Sequence, residues 1–139
     1  MQIVLDTNIY LFALGAVRKA SCERLLEKVA SDPEKFEIHI CRTILNEIRR
    51  KSSPQRLKDF WVILNELSVI PDEDWEVPFE IVARYTELGL KPGDAFIAGY
   101  AEYVGAECLI TENRADFLSR SNMLPFKVAS AETFLNKLT

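Results

Sequence analysis

"IVLDTNIYLF", residues 3–12, passes from an apolar run through a carboxylate, Asp6, and two small polar residues, Thr7 and Asn8, into a second apolar run. A strand that is apolar at every position, without alternation, is the mark of a parallel sheet covered on both faces. Ile3 to Leu5 therefore predicts a short buried strand, and Ile9 to Leu14 predicts the start of a helix. Asp6 is the anomaly. Burying a carboxylate costs several kcal/mol without a neutralising partner, and no Lys, Arg or His lies within ten residues of it.

The rest of the chain repeats the strand and helix alternation. "RKASCERLLEKVA" (18–30) places Cys22, Leu25, Leu26 and Val29 at helical spacing, and "KFEIHIC" (35–41) alternates as a strand. "RTILNEIRRK" (42–51) predicts a helix with Ile44, Leu45 and Ile48 on one face. After Ser52-Ser53-Pro54, "QRLKDFWVILNEL" predicts another with Leu57, Phe60, Trp61 and Leu64 inward. Ser68 to Ile70 reads as a possible short strand, and 72–78 as a charged connection. A helix over 79–89 closes on Gly89. Pro92-Gly93 then reads as a turn, with Asp94 opening a helix that Gly105 ends. "AECLIT" (106–111) is a second buried strand, "ENRAD" a polar loop, "FKV" (126–128) an edge strand, and 131–138 a last helix. This order predicts a single α/β domain over 1–139 with a mostly parallel sheet.

Composition narrows the classes. The 139 residues are 48% hydrophobic and 27% charged, ordinary values for one globular domain. Cys22, Cys41 and Cys108 are widely spaced and the chain has one histidine, His39, so neither a zinc site nor a disulfide framework is expected. The N-terminus has no signal-peptide pattern and no apolar run is long enough to span a membrane, so a soluble, cytoplasmic protein is expected.

Ligands of open parallel sheets bind beyond the C-terminal ends of the strands. Asp6 ends the first strand, and the loop of Glu112, Asn113 and Asp116 follows the second. Asp94 starts a helix, where the dipole favours negative charge. Glu47 lies at the border of an apolar helix face. Each acid alone also has a structural use: Asp6, Asp94 and Asp116 as helix caps or loop residues, Glu47 as a solvated side chain. Together, these acids can meet at one place.

"IVLDTN", "ILNEIRR", "KPGDAFIAGYA" and "CLITENRADF" resemble, in order and spacing, the signature segments of the PIN domain in its VapC-type toxin ribonuclease branch. The resemblance runs from Ile3 to about Val128. It implies a three-layer α/β/α sandwich, commonly dimeric, with Mg2+- or Mn2+-dependent cleavage of RNA and an antitoxin partner. It implies Asp6, Glu47, Asp94 and an acid of the last segment as site residues. Where many relatives have aspartate, this chain has Asn113, so Asp116 is taken as the fourth acid and Glu112 as a weaker substitute.

Hard divalent ions prefer oxygen ligands, which suits Asp6, Asp94 and Asp116 as metal ligands with Glu47 holding or deprotonating the attacking water. Thr7, Asn8, Thr111 and Asn113 are candidates for orienting carboxylates or contacting phosphate; capping and turn formation are their alternative uses. Removing four carboxylates from a net charge of −4 leaves a neutral remainder. Arg42, Arg49, Arg50 and Lys51 then stand out as a possible RNA-backbone surface, or else as a solvated helix face. Phe96, Tyr100 and Tyr103 form a helical stripe that either packs in the core or self-associates, and Trp61 and Trp75 are left as core or partner surface. Two other functions remain open. One is a catalytically weak PIN-like module that binds RNA or a protein. The other is a phosphoacceptor receiver-like domain, which would need paired acids after the first strand, where Asp6 stands alone.

Overall fold

The computed structural model describes residues 1–67, 69–113 and 115–138, with the backbone alone at 118 and 121. The apolar run at the N-terminus forms β1 (Gln2–Leu5), whose Ile3, Val4 and Leu5 are wholly buried. It lies between β2 (Glu37–His39) and β3 (Cys108–Ile110), and β4 (Lys127–Ala129) pairs on the far side of β3. Ile3 is in register with Ile38 and with Cys108, and Leu109 with Val128. All three pairings are parallel, so the described sheet, in order β2-β1-β3-β4, is parallel throughout. β2 and β3 are shorter than the stretches 35–41 and 106–111 that announce them, because a ladder exists only where neighbours overlap.

Helices cover both faces. Asp6 caps α1 (Thr7–Leu14), and α2 (Ala20–Ser31) buries Cys22, Leu25, Leu26 and Val29 as its spacing predicts. On that face α2 packs with α7 (Ala131–Lys137), whose first turn is capped by Ser130. α3 (Arg42–Lys51), α5 (Phe79–Glu87) and α6 (Pro92–Tyr103) form a second helical layer, in which α6 packs with both α3 and α5. The α3 face of Ile44, Leu45 and Ile48 is buried as expected, and α4 (Pro54–Glu66) packs against α1. The result is the expected three-layer α/β/α sandwich.

Several expectations change. Pro92 and Gly93 are the first turn of α6, since proline suits the first helical position, where no N–H is needed. Asp94 is therefore the third helical residue. Trp61 is 41% exposed, and only Phe60 and Leu64 of that stripe are fully inward. Val69 and Ile70 form no strand; Ser68 lies outside the described residues. Instead Asp72 bridges to Cys41: the Asp72 amide donates to Ile40 O at 2.8 Å, and the Arg42 amide to Asp72 O at 3.1 Å. The segment 118–123 is a 3₁₀ turn.

The aromatic stripe of α6 divides between core and surface. Tyr100 is buried and its hydroxyl donates to Asp72 Oδ2, whereas Tyr103 is partly exposed and Phe96 only partly buried. Trp75 is 81% exposed. The three cysteines are free and buried, and His39 sits on β2 with its Nε2 against the Gln2 side chain. Among the described residues no helix is long and apolar enough to cross a membrane.

α6 reaches its neighbours through small residues. A Cβ built on Gly99 would stand 3.0 Å from Val82 Cγ2 and 3.3 Å from the Val82 Cα of α5. Gly99→Leu is expected to lower stability by roughly 1–3 kcal/mol through overpacking. Chemical denaturation checks this, and an unchanged midpoint would mean that the helices separate freely.

Candidate active site

β1 and β3 are the central neighbours of the sheet, and the chain leaves β1 toward β2 on one side and reaches β3 on the other. Their C-terminal ends therefore form the switch point at which such sheets open a crevice. Asp6 stands at one lip and Thr111 at the other. The Asp6 amide donates to Ile110 O at 2.9 Å, so the backbone ladder itself carries the carboxylate to the edge.

Asp6 is 4% exposed and accepts three hydrogen bonds. Oδ1 takes the Thr7 amide at 2.8 Å; Oδ2 takes Thr111 Oγ1 at 2.7 Å and Asn8 Nδ2 at 3.2 Å. Burial raises its pKa above the usual carboxylate value, and the charge on Glu47 pushes the same way. The bonds from Thr111 and Thr7, and to a lesser extent the charge on Lys51, act against that rise. Asn8 also accepts the Glu112 amide at 3.0 Å, tying the loop after β3 to α1. Thr7 contributes through its amide, and its buried Oγ1 has no hydrogen-bond partner among the described residues.

The other three acids come from different elements. Asp94 sits in the first turn of α6, and Glu47 Oε1 lies 3.8 Å from where a Cβ on Gly93 would stand. Asp116 follows in the loop after β3, within hydrogen-bond reach of Asp94. Burial, then the hydrogen bond to Asp116, then the charges of Asp6, Asp116 and Glu47 push Asp94 up to about 7. Asp116 moves down, held first by that same bond and then by Asn113. The two shifts run in opposite directions, so Asp94 is the member of the pair that holds a proton more readily.

Asn113 links this pair to Asp6. Its Nδ2 donates to Asp116 Oδ2 at 3.2 Å and to Asp94 Oδ2 at 3.5 Å, and its Oδ1 accepts the Asp116 amide at 3.2 Å. Its own amide donates to Thr111 Oγ1 at 2.9 Å, the hydroxyl that bonds Asp6. Glu112 turns away: its Oε1 accepts the Ala131 amide at the start of α7 and the Cys22 thiol. That removes it as the substitute acid.

The basic residues are divided. Arg42 pairs with Glu73 at 3.1 Å, whereas Arg49, Arg50 and Lys51 are exposed at the end of α3. Of these four, Lys51 is the one whose charge reaches Asp6. Lys91 and Arg120, which the sequence reading passed over, both act on Asp116, and Arg120 also donates to the Asp116 carbonyl at 3.2 Å. Lys91 was legible as the residue before the α6 first turn; Arg120 lies in an aperiodic segment that carries no such signal.

Among the described residues none of the four acids forms an ion pair with Lys, Arg or His. Nor do three His, Cys, Asp or Glu side chains close around one point as a finished cage. The side-chain donors to these carboxylates are neutral: Thr111 and Asn8 on Asp6, and Asn113 on Asp94 and Asp116. Carboxylates, hydroxyls and an amide, with no imidazole or thiolate, are the oxygen chemistry that suits a hard divalent ion.

The family model for the PIN domain matches residues 3–122. No curated protein matches the sequence. Among solved structures the chain resembles VapBC2 from Rickettsia felis bound to a DNA fragment from their promoter, at 22% identity and a TM-score of 0.66, over 94% of this chain and 98% of that one. It also resembles FitAcB from Neisseria gonorrhoeae, at 17% identity and a TM-score of 0.63, with 94% and 98% covered. At these identities the likeness is one of fold, while the family model spans most of the chain, from β1 into the 3₁₀ turn after β3. The chain belongs to the PIN-domain family.

Proposed function

We propose that the chain is a divalent-metal-dependent endoribonuclease and the toxin half of a toxin–antitoxin pair, working in the cytoplasm as a homodimer. The observation that carries the nuclease reading is the buried Asp6 carboxylate. It has no cationic partner among the described residues and feels the charge of Glu47, while Asp94 in turn feels Asp6, Asp116 and Glu47. PIN domains are generally nucleases that use divalent metals. The likeness to VapBC2 and FitAcB supports an antitoxin partner.

In this reading Asp6, Asp94 and Asp116 hold Mg2+ or Mn2+. When bound, the ion lowers the pKa of a coordinated water and relieves charge on the phosphate. Thr111 and Asn8 fix the Asp6 carboxylate through the bonds to Oδ2, and the Thr7 amide fixes Oδ1. Asn113 holds Asp94 and Asp116 side by side. Glu47 takes the proton of the attacking water on a carboxylate oxygen. Arg49, Arg50 and Lys51 contact the RNA backbone, a sequence-independent attraction that weakens with salt. Arg42 joins them only by leaving Glu73.

A second reading is a PIN-like module that binds RNA or a protein without cleaving. It is favoured by Asn113, a neutral amide donating to both Asp94 and Asp116 at the position where many relatives carry an acid.

Cleavage of single-stranded RNA in Mg2+ or Mn2+ should stop with EDTA and in Asp6→Asn. Activity surviving both would overturn the metal mechanism, and retained binding without any cleavage would establish the second reading. Thr111→Val should weaken Mn2+ affinity or activity by about 10- to 100-fold, the usual cost of losing a ligand's supporting bond. An unchanged value from calorimetric titration would remove Thr111 from the site.

The metal-free chain carries a pH signature. Asp94 is raised from 3.8 to about 7, so its contribution to stability is full below the unfolded value and is lost as pH rises through about 7. Lys51, Lys91 and Arg120 soften the field around Asp6 and Asp116. Without metal, Asp94→Asn should match the parent near pH 4 and exceed its denaturation midpoint at about pH 8. Parallel curves at both pH values would mean that Asp94 feels no such repulsion.

A further inference from the structure

A separate cavity opens at the opposite edge of the sheet. It has a volume of about 780 Å³, within the size of small-molecule sites, and lies beside the first residues of β3 and β4. The lining is apolar where it is deep: Phe126 and Phe134 are buried, Leu124 is partly buried, and Cys108 forms the wall from β3. Two exposed lysines stand at the rim, Lys127 on β4 and Lys137 on α7. Neither forms an ion pair among the described residues, and the acid that shares the lining is Glu107.

We infer that this cavity binds a small organic monoanion with an apolar body, such as a medium-chain carboxylate, whose tail packs on Phe126 and Phe134 while its head meets Lys127 and Lys137. The recognition is that of a greasy floor with a cationic rim. A neutral or cationic amphiphile of equal length would satisfy the floor and leave the rim unmatched or repelled. Both lysines line the same cavity as Cys108, Phe126 and Phe134, so one ligand can meet the apolar floor and both ammonium groups. Of the lining residues Ala129 borders the crevice, its carbonyl taking the Thr111 amide, but none of Asp6, Glu47, Asp94 and Asp116 lines the cavity, so the inference does not rest on the nuclease reading.

The full chain titrated calorimetrically with decanoate, below its micelle concentration, should bind one molecule saturably. The affinity should be at least about tenfold above that for decyltrimethylammonium or decanol, one tenfold step being 1.4 kcal/mol. The double variant Lys127→Gln with Lys137→Gln, at exposed positions and so without a folding penalty, should lose that tenfold advantage and keep its decanol affinity. The Lys127→Arg with Lys137→Arg pair should retain it. Cys108 alkylation, followed by mass spectrometry, should slow when decanoate is bound. Absence of saturable binding, equal affinity for the three head groups, or an unchanged affinity in the glutamine variant would each overturn the assignment.

Discussion

The parallel pairing of β1 with β3 is the constraint on which the molecule depends. Because the Asp6 amide completes that ladder on Ile110 O, its backbone is fixed at the lip of the crevice, and Thr7, Asn8 and Thr111 then hold its carboxylate there. The same residue caps α1, its Oδ1 accepting the first helical amide. Capping and site membership, which compete as explanations when the residue is read alone, are satisfied together: one oxygen serves the helix, and the other faces Thr111 and Asn8. Three hydrogen bonds offset part of the cost of burial, and the raised pKa shows that they do not offset all of it. The remainder is the kind of unfavourable local arrangement that functional sites keep and the surrounding fold supports.

What was legible in the sequence follows from what is local. An unbroken apolar run ending in a carboxylate announces a buried parallel strand and its C-terminal edge, and the Ile44, Leu45 and Ile48 spacing announces the inner face of α3; both properties need no knowledge of a partner. Strand order is different. Whether Asp6 and the Thr111 loop meet depends on β1 lying next to β3, and only the crossovers decide that. Trp61 shows the same limit from the other side: period marks a face, while burial needs something to cover it. Pro92-Gly93 misled because proline initiates helices as readily as turns. The family resemblance ranks Asp116 above Glu112 where the residues alone do not, since both fall in one loop and their directions are set by distant neighbours, Ala131 and Cys22 for one and Asp94 for the other.

Charge is distributed with similar economy. On α3, Glu47 and Lys51 are four residues apart and so share one side of the helix, and both act on Asp6 with opposite sign. Arg49 and Arg50 lie off that side and face solvent. A basic helix end thus softens the acidic crevice without neutralising it, leaving the carboxylates ionisable and a cationic border beside them. An ion pair to any of the acids would have stabilised the fold more and left less for a ligand to gain.

Asn113 carries the argument furthest. An aspartate there would put a further like charge beside Asp94 and Asp116, where the neighbouring carboxylates already push Asp94 up. The amide adds no charge, donates to both carboxylates and accepts from the Asp116 backbone, so it holds their spacing by hydrogen bonds alone. Through its amide to Thr111 it also registers the loop against Asp6. A cation arriving among these acids would displace long bonds from a neutral donor, which is a smaller cost than breaking a salt bridge. The departure from the commoner acidic pattern is therefore compatible with a working site, and it shifts the burden of the fourth carboxylate onto Asp116, where Lys91 and Arg120 help to keep it ionised.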